Sequence, residues 1–202
     1  MAEVDPQRST MVRKAIRLEY FTIFYNVAEG VASIAFGGIA SSIALVGFGV
    51  DSFVESLSGI VVLRRFNAEV RAGVDDEILE SRAVKYVGWS FILLAAYIGI
   101  ESIRKLHFHE MPDPSIPGVV VAIFSLLTMP WLAHQKKQTG TKLQSRAMIA
   151  DSKETLACSL LSAELLIGLT LNAWLGWWWA DPVSGLAMIP WLLKEAHESL
   201  ES

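Results

Sequence analysis

Residues 42–59, SIALVGFGVDSFVESLSG, carry two acids, Asp51 and Glu55, inside a stretch so apolar that it belongs in a lipid bilayer or a deep core. On a helix, residues four apart share a face with their Cβ atoms about 5–6 Å from one another. Both carboxylates therefore look the same way. A carboxylate at mid-membrane costs roughly 2.5–3.5 kcal/mol on insertion scales, and acids placed there mark ion or proton pathways. The pair predicts a membrane helix with a cation-gripping face.

The rest of the chain fits that setting. Of 202 residues, 52% are hydrophobic and only 19% charged, with a mean hydropathy of +0.41, and the apolar residues fall in long blocks parted by short charged ones. About 20 apolar residues cross a bilayer. The blocks predict an all-α bundle of six transmembrane helices, over 16–37, 42–65, 82–106, 115–134, 145–173 and 181–199, as a single transmembrane domain over 1–202. Lys and Arg favour cytoplasmic loops. Arg8, Arg13, Lys14, Arg17, Arg64, Arg65, Arg71, Arg82, Lys85, Lys136, Lys137, Lys142, Arg146 and Lys194 fall on one side, against Arg104 and Lys105 on the other. Both termini are thus expected in the cytoplasm, with Lys153 the sole base inside a span.

MAEVDPQRST at the start has no basic region leading into an apolar one, so it reads as a retained N-terminus, and the few residues after the sixth span lead us to expect no soluble C-terminal domain. Cys158 is the only cysteine, which excludes an intramolecular disulfide. The net charge of −4 is spread over the loops, and no basic tract suggests nucleic acid. Gly37-Gly38 predicts a tight external turn, and the charged link from Arg64 to Lys85 a cytoplasmic loop with a short helix over Asp75 to Ser81. Pro130 beside Trp131 predicts a kink or an early end to the fourth helix. Trp177-Trp178-Trp179 reads as an interfacial aromatic belt, with Asp181-Pro182 as N-cap and first residue of the sixth helix.

On the fifth span, Asp151, Thr155, Cys158 and Ser162 form one stripe. Thr, Cys and Ser there read as small interface residues, whereas a lone Asp needs a partner. A divalent cation shared with Asp51 and Glu55 is the economical one. On the first span, Asn26 and Glu29 line a polar cavity or bond a neighbouring helix, and Glu19 is either solvated at the interface or part of that cavity. Glu101 pairs locally with Arg104 or Lys105, and Lys153 snorkels or pairs with Glu154 or Glu101. No histidine falls within a span, and a carboxylate set favours Mn²⁺ or Mg²⁺ over Zn²⁺.

SIALVGFGVDSFVESLSG, SRAMIADSKETLACSLLS (145–162) and GWWWADPVSGL (176–186) together resemble the cation diffusion facilitator superfamily, in particular its short bacterial members without the C-terminal cytoplasmic domain. The likeness runs from about Leu18 to Leu193. It implies divalent metal efflux in exchange for protons, through DxxxD on helix 2 and H/DxxxD on helix 5. By position the metal ligands are then Asp51, Glu55, Asp151 and Thr155, with Glu154, Cys158, Asn26 and Glu29 as further candidates. Thr155 departs from the pattern, standing where the family has Asp.

The resemblance also implies Zn²⁺ as the ion, with Co²⁺, Fe²⁺, Mn²⁺ or Cd²⁺ as alternatives, protons as counter-ion, a homodimer, and residence in a bacterial inner membrane. It implies no enzyme activity and no prosthetic group. Two other readings compete: a membrane metal sensor or partner subunit that binds without transporting, and a structural membrane protein whose acids pair with Lys153 and Arg104.

Overall fold

The computed structural model describes residues 6–39, 43–72, 77–109, 116–175, 177 and 179–201. Among them every regular element is a helix: α1 Pro6–Ile39, α2 Ile43–Ala72, α3 Glu77–Phe108, α4 Ile116–Leu143, α5 Arg146–Leu175 and α6 Ala180–Glu201. The first four are long and apolar enough to cross a membrane. The all-α, six-helix architecture is the one expected.

The helices outrun the apolar blocks that announce them. At 1.5 Å per residue the 34 residues of α1 extend about 51 Å, well beyond the roughly 30 Å of a hydrocarbon core. Hydropathy detects only the lipid-spanning part. Hence α1 passes through Gly37 and Gly38, α4 passes through Pro130 to Leu143, and most of the supposed loop from Arg64 to Lys85 is the end of α2 and the start of α3. Residues 40–42 and 73–76 lie outside the described residues. Helix α6 begins at Ala180, which puts Asp181 inside its first turn rather than ahead of it. Trp178 lies outside the description; Trp177 and Trp179 are stacked with centroids 5.4 Å apart.

α1 packs on α2, α4 on α5 and α3 on α6; α1 also meets α4, and α2 and α5 touch each other and α3, so α2 and α5 run through the middle. Glycine permits the closest crossing. A Cβ on Gly49 would stand 2.8 Å from the carbonyl oxygen of Gly30, the small-residue contact that lets membrane helices approach.

The bundle buries acids and hydroxyls beside an apolar core, and its outer face is apolar. Along α1 the residues at steps of three and four, Glu19, Thr22, Asn26, Glu29 and Ser33, are buried, while Phe24 between them is 78% exposed. That spacing is one helical face. A bilayer supplies the missing apolar neighbours for the outer face.

An ionic knot ties four helices at one end. Arg8 on α1 bonds Glu69 on α2 at 2.8 Å, and buried Arg65 reaches both Glu69 and Glu80 of α3. Glu80 in turn accepts from Ser145 Oγ and from the Ala147 amide, each at 2.8 Å. Ser145 Oγ also accepts from the Met148 amide at 3.3 Å, an N-cap for α5 buttressed from α3. The short link between α4 and α5 turns on Gln144, at φ 54°.

Candidate cation site between α1, α2, α4 and α5

The candidate ligands are all buried. On α2, Asp51 and Glu55 face α5: Cys158 stands beside both, and Thr155 beside Glu55. Among the described residues, Asp51 Oδ2 and both oxygens of Glu55 nevertheless accept no well-formed hydrogen bond. Buried carboxylate oxygens are ordinarily satisfied. These three are acceptors open to a cation or a proton.

The α5 half of the site is different, because Asp151 already has its partners. Lys136 of α4, wholly buried, places Nζ 2.5 Å from Asp151 Oδ2, and Ser58 of α2 donates to Asp151 Oδ1 at 3.3 Å. The same ammonium donates to Thr155 Oγ1 at 3.2 Å and lies 3.3 Å from Glu19 Oε2. The sequence made a shared divalent ion the economical partner for Asp151; the structure shows a second one within the protein. Lys136 supplies the countercharge. Among the described residues no three His, Cys, Asp or Glu side chains stand together in metal-holding geometry; Asp151 is turned to lysine while Asp51 and Glu55 wait on the opposite helix.

The remaining candidates divide by helix face. Glu29 accepts from Ser52 at 2.9 Å, a bond between α1 and α2, whereas both polar side-chain atoms of neighbouring Asn26 are buried without a hydrogen bond. Glu154 looks aside, towards Ser58 of α2 and Ser90 of α3. Ser162 Oγ donates to the Cys158 carbonyl at 2.9 Å and stays within its own helix.

Lys136 is what the sequence placed elsewhere, and Glu19 what it left open. Lys136 sits in the run HQKKQTGTK, which reads as a charged cytoplasmic end, and Glu19 near an interface; both prove completely buried. The available signal was the flank: Leu132, Ala133, Thr139 and Gly140, three and four residues either side of Lys136, form one apolar or small face. Lys153 is also corrected. It bonds Glu195 and Glu198 of α6 rather than Glu154 or Glu101. Glu101 does pair with Arg104 on its own helix, as expected.

Asp51 also lines a partly open cleft of about 70 Å³ among α2, α3 and α5, whose other walls include Tyr97, Glu101, Ser102, Lys105 and Glu164. Tyr97 packs on α2 where only glycine fits, its hydroxyl lying 1.3 Å from where a Cβ on Gly47 would be.

A helical bundle with an acid-rich interior and an apolar exterior is an integral membrane protein. Its family follows from comparison: the Cation efflux transmembrane domain matches residues 79–202, more than half of the chain, and the chain belongs to that family. The family is one of transporters rather than enzymes. The matched residues take in Asp151 and Thr155. An uncharacterized transporter of Methanocaldococcus jannaschii is 23% identical over 184 residues, covering 88% of this chain and 64% of its own length. Transmembrane protein 163 of Xenopus laevis is 26% identical over 155 residues, covering 77% of this chain and 54% of its own. The chain thus spans between half and two thirds of the length of these relatives.

Proposed function

We propose that this chain carries divalent metal cations across a membrane in exchange for protons, with Asp51 and Glu55 of α2 as primary ligands and Asp151 and Thr155 of α5 completing the shell. One observation carries the reading. Three carboxylate oxygens on successive turns of α2 are buried with no hydrogen bond among the described residues, an arrangement that is costly unless a cation or proton visits. The cleft leading to Asp51 supports access from one side, and the family supports efflux as the direction.

Hard carboxylate oxygens suit Mn²⁺, while the adjacent Cys158 thiol extends the range towards Zn²⁺, Co²⁺ and Cd²⁺. Metal and protons neutralise the same oxygens and so compete for them. If only neutralised forms reorient, that competition couples the two flows. The test is a metal panel on the purified chain in liposomes under an imposed pH gradient. Metal movement that follows the gradient, with opposite movement of protons, is the expected result; binding without flux would favour a sensor or partner subunit.

A further inference from the structure

We propose that Lys136 is a tethered cation: it occupies Asp151 while the site is empty and yields that carboxylate to the transported ion by withdrawing to Glu19. The inference rests on the reading of α2 and α5 as the cation site.

The geometry supplies both resting places for the ammonium. Lys136 offers three N–H donors and has three acceptors in reach: Asp151 Oδ2 at 2.5 Å, Thr155 Oγ1 at 3.2 Å and Glu19 Oε2 at 3.3 Å. Asp151 and Thr155 are the two α5 positions at which an ion bridging to Asp51 and Glu55 would have to bind. Such an ion must take Oδ2 from the ammonium. Nothing then strands the displaced charge, because Glu19 is wholly buried alongside, already within ion-pair distance of the ammonium, and neither of its oxygens makes a hydrogen bond among the described residues. Gly59 gives Glu19 its space: a Cβ there would stand 3.2 Å from Glu19 Oε2.

The charges explain why the device is useful. Among the described residues, the buried acids Glu19, Glu29, Asp51, Glu55, Asp151 and Glu154 share the interior with one buried lysine, Lys136, the other buried base, Arg65, being engaged with Glu69 and Glu80. A buried acid left alone is costly, and so is a buried lysine. Moving one ammonium between Asp151 and Glu19 keeps Asp151 compensated in the empty carrier, by lysine, and in the loaded one, by metal. The ion therefore competes with a built-in cation as well as with protons, and Lys136 acts as a positioning residue that sets affinity and release.

Calorimetric titration of Zn²⁺, Co²⁺ and Mn²⁺ into the full chain in detergent micelles tests this. Lys136→Met removes the competitor and should tighten binding by roughly tenfold or more, while Lys136→Arg, which keeps the charge, should stay much closer to wild type. Glu19→Gln removes the refuge and should weaken binding; in the Lys136→Met background the same change should lose most of its effect. A purely structural lysine would give the opposite sign, since its loss would loosen the site. Unchanged or weaker binding by a folded Lys136→Met protein overturns the proposal. Should that variant not fold, unchanged affinity in Glu19→Gln overturns it equally. Wild type that binds none of the three metals overturns the transport reading itself; binding with the wrong mutant pattern overturns only the tethered cation.

Discussion

Replacing Glu80 with alanine should be among the most damaging single changes away from the cation site. Its two oxygens join three elements: one accepts from Ser145 Oγ and the Ala147 amide at 2.8 Å each, and the other faces Arg65. Hydrogen bonds to a charged acceptor contribute about 1.5–3 kcal/mol each, and the α5 cap they support about 1 kcal/mol. Arg65 is not abandoned, since Glu69 still pairs with it, which holds the loss below that of a fully orphaned buried charge. Glu80→Ala should therefore cost about 3–5 kcal/mol. Glu80→Gln keeps an acceptor for the α5 cap and surrenders only the charge, for about 1–2 kcal/mol. Thermal unfolding in detergent, followed by circular dichroism, separates the two. If both variants melt with wild type, the knot does not hold the bundle and the buttressed cap is misread.

Three further outcomes follow from particular contacts. Gly47→Ala should disrupt the packing of α2 on α3, because the new Cβ coincides with the Tyr97 hydroxyl; the double variant with Tyr97→Ala should recover much of the lost thermal stability. Gln144→Gly should raise stability by about 1 kcal/mol, relieving a left-handed backbone position, as chemical denaturation would register. Thr155→Asp should change metal affinity little, because the new carboxylate meets Lys136, 3.2 Å from the present hydroxyl; combined with Lys136→Met, it should tighten binding, and calorimetry on both proteins distinguishes the cases.

The all-α membrane class was legible because six apolar blocks admit little else, and the inward face of α2 because two acids four apart in lipid demand a common direction. Element ends were not legible, since polar helical extensions beyond the bilayer leave no trace in hydropathy: Arg65, Glu69 and Glu80 look like loop charges until α2 and α3 are seen to run on past the apolar blocks. The stripe of Asp151, Thr155 and Cys158 was readable from spacing alone, but its partner was not. Pairing between helices distant in sequence is a tertiary fact, and Lys136, counted as an orientation signal, turned out to be the neighbour of Asp151. The same gap explains Lys153, whose acids lie on α6, over forty residues away.

Whether divalent cations cross by way of the unpartnered α2 carboxylates is decided most directly by flux. Wild type, Asp51→Asn and Glu55→Gln, reconstituted at equal density in liposomes holding a metal-sensitive dye, would be compared for Zn²⁺ and Mn²⁺ entry under a pH gradient. Each substitution keeps shape and removes one charge. The expected result is gradient-driven entry in wild type and near-background entry in both variants; full flux in Glu55→Gln, or none of either metal in a well-folded wild type, would contradict it.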